Sequence, residues 1–141
     1  MSTYVVDASV VAKWFLEEEH SAAALRVLDE RHRLHAPDFY LVEIDSILCK
    51  WIRRGAMTEA EGRRIRTAVR RFPIQTHPAM SLLDPAFVMA NHTGRSLYDC
   101  LYLALAALID GQLVTADRRL YRGLARGPFS KHVVWVEDVA E

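Results

Sequence analysis

The chain has 141 residues, 51% of them hydrophobic and 26% charged, and its formal net charge is +0. That profile fits one soluble globular domain, large enough to bury roughly 68–70% of the surface its unfolded form exposes. No secretory leader is expected, because Met1 to Asp7 lacks a basic start and a long apolar core. No membrane span is expected either, because the most apolar run, Leu97 to Ile109, is too short and contains Asp99.

Thr3 to Val6 reads as a first strand that runs straight into Asp7. Val10 to Leu16 reads as a short helix, with Asp7 or Ser9 as its N-cap. Glu17 to Glu19 suits a helix N-terminus, and Ser21 to Arg33 has apolar residues at helical spacing. Leu34 to Ala36 reads as a second strand, and Pro37 marks the change back to helix. Phe39 to Arg54 reads as a long helix stopped by Gly55. Thr58 and Glu61 have capping-box spacing and open a helix to about Arg71. Ile74 to Thr76 follows as a third strand, and Met80 to Thr93 as a helix ended by Gly94 despite Pro85 near its start. Leu97 to Ile109 reads as a helix buried on nearly every side. Asp110-Gly111 turns the chain into a strand at Leu113 to Thr115, Asp117 opens a short helix to about Leu124, and Val133 to Val136 closes the chain as a strand. Strands alternating with helices predict an α/β fold, a single domain over residues 1–141 with a central parallel sheet flanked by helices on both faces.

Charge is distributed unevenly. From Lys50 to Arg71 there are eight basic residues against Glu59 and Glu61, and Arg118, Arg119, Arg122 and Arg126 form a second group. A solvated helix face explains such runs; arginine's planar fork also suits phosphate. The six histidines have no mutual spacing that suggests a ligand set. Cys49 and Cys100 are isolated in helical stretches and are expected to be buried free thiols in a reducing cytoplasm.

Four acidic residues stand out. Asp7 ends a strand, where it serves equally as a helix cap or as a site carboxylate. Glu43 lies in the first half of a helix among Leu41, Val42 and Ile44, where an exposed position is the simpler reading. Asp99 follows Ser96 at capping-box spacing, yet it sits on an otherwise apolar helix, where a carboxylate is costly without a charged partner. Asp117, between strand and helix, reads as an N-cap. Together they carry more. Asp7 and Asp117 follow strand ends and Asp99 lies near a helix start, all positions that belong at one edge of a parallel sheet. Carboxylates about 4 Å apart repel by roughly 4 kcal/mol at an effective dielectric near 20, so such a cluster calls for protons or a cation. All-oxygen ligands favour Mg²⁺ or Mn²⁺.

These residues carry a resemblance to a known family. Val5-Val6-Asp7-Ala8-Ser9-Val10, Leu41-Val42-Glu43-Ile44, Leu97 to Ala106 around Asp99, and Leu113-Val114-Thr115-Ala116-Asp117-Arg118-Arg119-Leu120 resemble the PIN-domain ribonucleases, most closely the VapC-type toxins of toxin–antitoxin pairs. The resemblance implies that Asp7, Glu43, Asp99 and Asp117 form a catalytic acidic quartet. Asp7 and Asp99 would be the main metal ligands, with Asp117 and Glu43 completing the site directly or through water. Ser9 and Thr115 would support it by hydrogen bonding. The chain departs from the pattern after Glu43: Asp45 replaces a usually small apolar residue, and Ser46 stands where the family often has asparagine.

The expected function is therefore a Mg²⁺- or Mn²⁺-dependent endoribonuclease, the toxin of a pair, acting in the cytoplasm on structured RNA such as tRNA. A small cognate antitoxin and a homodimer are the expected protein partners, with Trp14, Phe15 and Trp51 as candidate contacts, although a place in the core is the simpler role for most of them. The alternative is a catalytically silent PIN-like module that binds RNA or protein. A phosphotransfer enzyme using Asp7 as nucleophile fits less well, because Ser9 stands where a second aspartate is usual.

Overall fold

The computed structural model describes residues 2–139. Five parallel strands form one sheet: β1 (Ser2–Val6), β2 (His32–Pro37), β3 (Ile74–His77), β4 (Gln112–Thr115) and β5 (Val133–Trp135). Seven helices connect them: α1 (Ala8–Ala12), α2 (Ser21–Arg26), α3 (Tyr40–Arg53), α4 (Glu59–Val69), α5 (Leu83–Thr93), α6 (Leu97–Leu108) and α7 (Arg118–Ala125). The strand order is β3-β2-β1-β4-β5. The chain steps outward from β1 to β3, then returns to the other side of β1 to lay down β4 and β5. Right-handed crossovers therefore put α1 to α4 on one face and α5 to α7 on the other. This is the expected α/β architecture.

The direction of winding reverses between β1 and β4. A crevice opens beyond the strand ends at such a point, because the helices that follow the two strands leave toward opposite faces. The pair that frames it is the centre of the core. Val5, Val6, Leu113 and Val114 are essentially inaccessible, and burying each such side chain contributes about 1.5–3 kcal/mol. Gly111 lets the strands meet: a Cβ there would lie 2.7 Å from the carbonyl oxygen of Thr3.

Several boundaries moved from their expected places. The first helix ends at Ala12, not Leu16. The second stops at Arg26, because His32 and Arg33 are drawn into β2 opposite Ser2 and Thr3. Pro37 closes β2 and does not open the next helix. Residues 79–82 form a 3₁₀ turn, and the α-helix proper starts at Leu83. Pro85 thus falls in its first turn, where a missing N–H costs nothing. Thr58 and Glu61 make the full capping box. Cys100 is buried as expected but Cys49 is exposed, because it lies on the outer side of α3. Trp14, Phe15 and Trp51 are half-buried against the core, and the Trp14 indole N–H donates to the Ala24 carbonyl. Among the described residues, no helix is long and apolar enough to cross a membrane.

Candidate active site

A cleft of about 270 Å³ opens at the β1/β4 reversal, and Asp7, Glu43, Asp99 and Asp117 all line it. They span 110 positions of sequence, from Asp7 to Asp117, and four different elements bring them to one place. A larger, more open hollow beside Glu18, His20 and Glu137 brings together no comparable set of carboxylates from separate strand ends.

Two of the carboxylates, Asp7 and Asp117, are held locally. Asp7 caps α1: its Oδ1 accepts the Val10 N–H at 2.9 Å and the Ser9 hydroxyl at 2.7 Å. Asp117 caps α7, and its Oδ1 accepts the Leu120 N–H at 3.1 Å. The Thr115 hydroxyl, itself buried, accepts the Asp117 N–H at 3.0 Å. Ser96 caps α6 by accepting the Asp99 N–H at 3.0 Å. Capping and membership of the cleft are therefore not alternatives. At Asp7 and Asp117 the cap itself aims the carboxylate. Ser9 and Thr115 make the supporting contacts expected of them.

Glu43 is held differently. Its Oε1 accepts the Tyr102 hydroxyl at 2.6 Å. Ser46 lines the cleft beside it, while Asp45 turns away and pairs with Arg66 Nε at 2.8 Å. Tyr102 and Lys50 also line the cleft; the sequence reading gives Tyr102 no role and counts Lys50 only as the start of a basic run. Tyr102 had left a signal: a phenol on a buried apolar helix needs a hydrogen-bond partner, and it lies one turn after Asp99. Lys50 continues the helical stripe Glu43, Ser46/Ile47, Lys50, which only the packing of α3 turns toward the cleft.

The cleft holds its charges at a cost. Burial pushes the Asp7 carboxyl up to about 6, against the opposing pull of the Ser9 and Val10 hydrogen bonds, with Glu43 and Asp99 adding to the rise. Burial also raises Glu43, opposed by the Tyr102 hydroxyl and reinforced by Asp99. Asp99 is raised by burial and by Asp117, while Ser96 and Arg95 oppose the shift. Tyr102 is raised as well, by burial and by the charges of Asp7 and Glu43. Asp7, Glu43 and Asp99 thus each feel a neighbour in the same cleft, and among the described residues none of the four acids pairs with a basic side chain.

That donor set fits a hard divalent cation, which relieves both burial and repulsion. It is not a closed cage. Among the described residues, no group of three or more Asp, Glu, His or Cys side chains is spaced to hold a metal. A Mg²⁺-type ion suits this openness, since it keeps several waters and shares its shell with substrate phosphate.

Residues 4–123 match the PIN domain family, so the chain belongs to the PIN domain family. A ribonuclease VapC3 from Pyrobaculum aerophilum is 36% identical over 118 residues, covering 82% of this chain and 90% of that protein. The toxin–antitoxin complex from Klebsiella pneumoniae superposes with a TM-score of 0.65 at 16% identity, covering 93% of this chain and 95% of its counterpart. Mycobacterium tuberculosis VapC20, described as a sarcin-ricin loop cleaving toxin, superposes with a TM-score of 0.62 at 16% identity, covering 90% of this chain and 92% of that one. Dependence on a divalent metal is typical of the family's ribonucleases.

Proposed function

We propose that this protein is a metal-dependent endoribonuclease, the toxin of a toxin–antitoxin pair, which hydrolyses RNA phosphodiester bonds at Asp7, Glu43, Asp99 and Asp117. The observation that carries this reading is the convergence of the four carboxylates on one cleft, in a chain 36% identical to a VapC ribonuclease. The proposal takes residues 1–141 as one PIN domain, and the single five-stranded sheet supports that.

Asp7 and Asp99 would hold Mg²⁺ or Mn²⁺, with Asp117 and Glu43 completing the site directly or through water. A bound divalent ion supplies charge neutralisation at the scissile phosphate and acidifies a water. The residues do the rest. Ser9 and Val10 occupy Oδ1 of Asp7, which leaves Oδ2 for the cation. Glu43 takes a proton from the attacking water as its oxygen bonds to phosphorus. The bond from phosphorus to the leaving ribose oxygen breaks, and that oxygen takes a proton from solvent. Lys50, at the cleft wall, meets a flanking phosphate, and Arg53 and Arg54 extend the positive charge beyond it.

Structured RNA such as tRNA is the proposed substrate and a small antitoxin the proposed inhibitor, which together imply action in the cytoplasm. A homodimer completes the reading. Phe87 and Val88 on α5 and Tyr98 and Leu108 on α6 are exposed, and apolar surface of this kind supports pairing. The test is cleavage of total tRNA with Mg²⁺ or Mn²⁺. The parent cuts, while Asp7→Asn and Asp99→Asn variants do not. Equal cleavage by the variants refutes the assignment.

A further inference from the structure

Among the described residues, Glu43 and Tyr102 form the one hydrogen bond in the cleft that ties a carboxylate to another side chain across the fold. The bond spans α3 and α6, which approach the cleft from opposite faces of the sheet, and it is short at 2.6 Å. Tyr102 is 3% exposed, so its ring has a single resting place. Phe39 packs against it with ring centroids 5.1 Å apart, and the Ala8 backbone amide at the start of α1 also bears on its oxygen. A neutral phenol has one proton to donate, and here it goes to Oε1 of Glu43. Oε1 is therefore engaged, and among the described residues no donor reaches Oε2.

We propose that Tyr102 is a positioning residue that engages Oε1 of Glu43 and turns Oε2 to the cleft, fixing the direction from which Glu43 orients the attacking water. The inference rests on the proposed ribonuclease reading and sharpens it. The remaining oxygen of Glu43 stays fixed relative to Asp7, because Tyr102 touches both the start of α1 and the side chain of Glu43. A water held by a single fixed oxygen is well placed for attack, whereas a freely rotating carboxylate samples many unproductive positions.

The test compares Tyr102→Phe, Glu43→Gln, the double variant and Asp99→Asn. Mn²⁺ affinity is measured by calorimetry, kcat and KM on total tRNA, and folding by thermal melt. Tyr102→Phe keeps the ring and its packing. It should lower kcat by about tenfold or more, a fraction of a general base's contribution, with KM and the Mn²⁺ dissociation constant within about twofold of the parent. Adding Tyr102→Phe to Glu43→Gln should cost nothing further, since the two act as a unit. Asp99→Asn should lose Mn²⁺. Unchanged kcat in a folded Tyr102→Phe protein overturns the proposal, as do independent, multiplying losses in the double variant. Mn²⁺ affinity that weakens in Tyr102→Phe as it does in Asp99→Asn also overturns it, because the loss then lies in the metal site and not in the aim of Glu43. If the parent cuts no RNA, the ribonuclease reading fails by itself, whereas a parent and a folded Tyr102→Phe protein that cut equally well fail this inference alone.

Discussion

Replacing Asp7 by Asn should make the metal-free protein more stable while abolishing its activity. The Asp7 carboxyl is pushed from its ordinary 3.8 up to about 6, chiefly by burial, so above pH 6 the fold holds a charge that it disfavours. A shift of this size corresponds to about 3 kcal/mol. That is an upper bound, because the cleft admits water and screens part of the cost. Asparagine keeps the side-chain oxygen that accepts from Ser9 and Val10, so the cap on α1 survives. We expect Asp7→Asn in EDTA at pH 7.5 to gain ~1–3 kcal/mol, or roughly 3–10 °C in melting temperature for a chain of this length. The gain should shrink towards pH 4. With folded pKa above unfolded pKa, the protonated form's contribution is fully present below about 3.8 and is lost as pH rises through about 6. Saturating Mn²⁺ should reverse the order, because only the parent gains binding energy from the ion. Melts in EDTA at both pH values, then with Mn²⁺, test this directly. A loss of stability at pH 7.5, or an equal gain at pH 4, would refute the claim that Asp7 carries an uncompensated charge.

Three further outcomes are expected. Protons compete with the cation at Asp7, so at subsaturating metal kcat/KM should fall about tenfold per pH unit below about pH 6 and flatten above it; a profile flat down to pH 5 contradicts the shift. Lys50→Gln should raise KM several-fold with kcat within about twofold, and should lessen the dependence of log(kcat/KM) on log salt by ~0.7–0.9, the loss of one phosphate contact; an unchanged salt slope removes Lys50 from the substrate path. Gly111→Ala forces a Cβ to 2.7 Å from the Thr3 carbonyl oxygen, which the central pair of strands cannot yield to without shifting. It should lower stability by ~1–3 kcal/mol, seen as a lower urea midpoint at unchanged slope; an unaltered midpoint shows that β1 and β4 adjust freely.

Much of this protein is legible in its linear order. Val5-Val6-Asp7 and Val114-Thr115-Ala116-Asp117 declare themselves as buried strands followed by capping carboxylates, because burial selects β-branched residues and the next helix needs an acceptor for its free N–H groups. Gly94 announces the end of α5 by adopting φ 71°, a conformation that other residues resist. Thr58 and Glu61 announce α4 through bonds made within one turn. All of these signals are local, carried by residues that satisfy one another across three or four positions.

What sequence order alone does not determine depends on residues that meet only across the fold. His32 and Arg33 extend β2 because Ser2 and Thr3 offer them a ladder, so the preceding helix stops early whatever its own propensity. Cys49 is exposed and Lys50 lines the cleft because of how α3 is rotated about its axis, which packing against the sheet decides. Tyr102 reaches Glu43 across 59 positions of chain, a distance over which no periodicity speaks. The sequence by itself determined which four carboxylates stand at helix starts and strand ends, and with them the family of this chain. The tertiary structure decided that they share one cleft at the β1/β4 reversal, and which of their oxygens are already taken, because only the closed fold sets the distances on which burial, repulsion and hydrogen bonding depend.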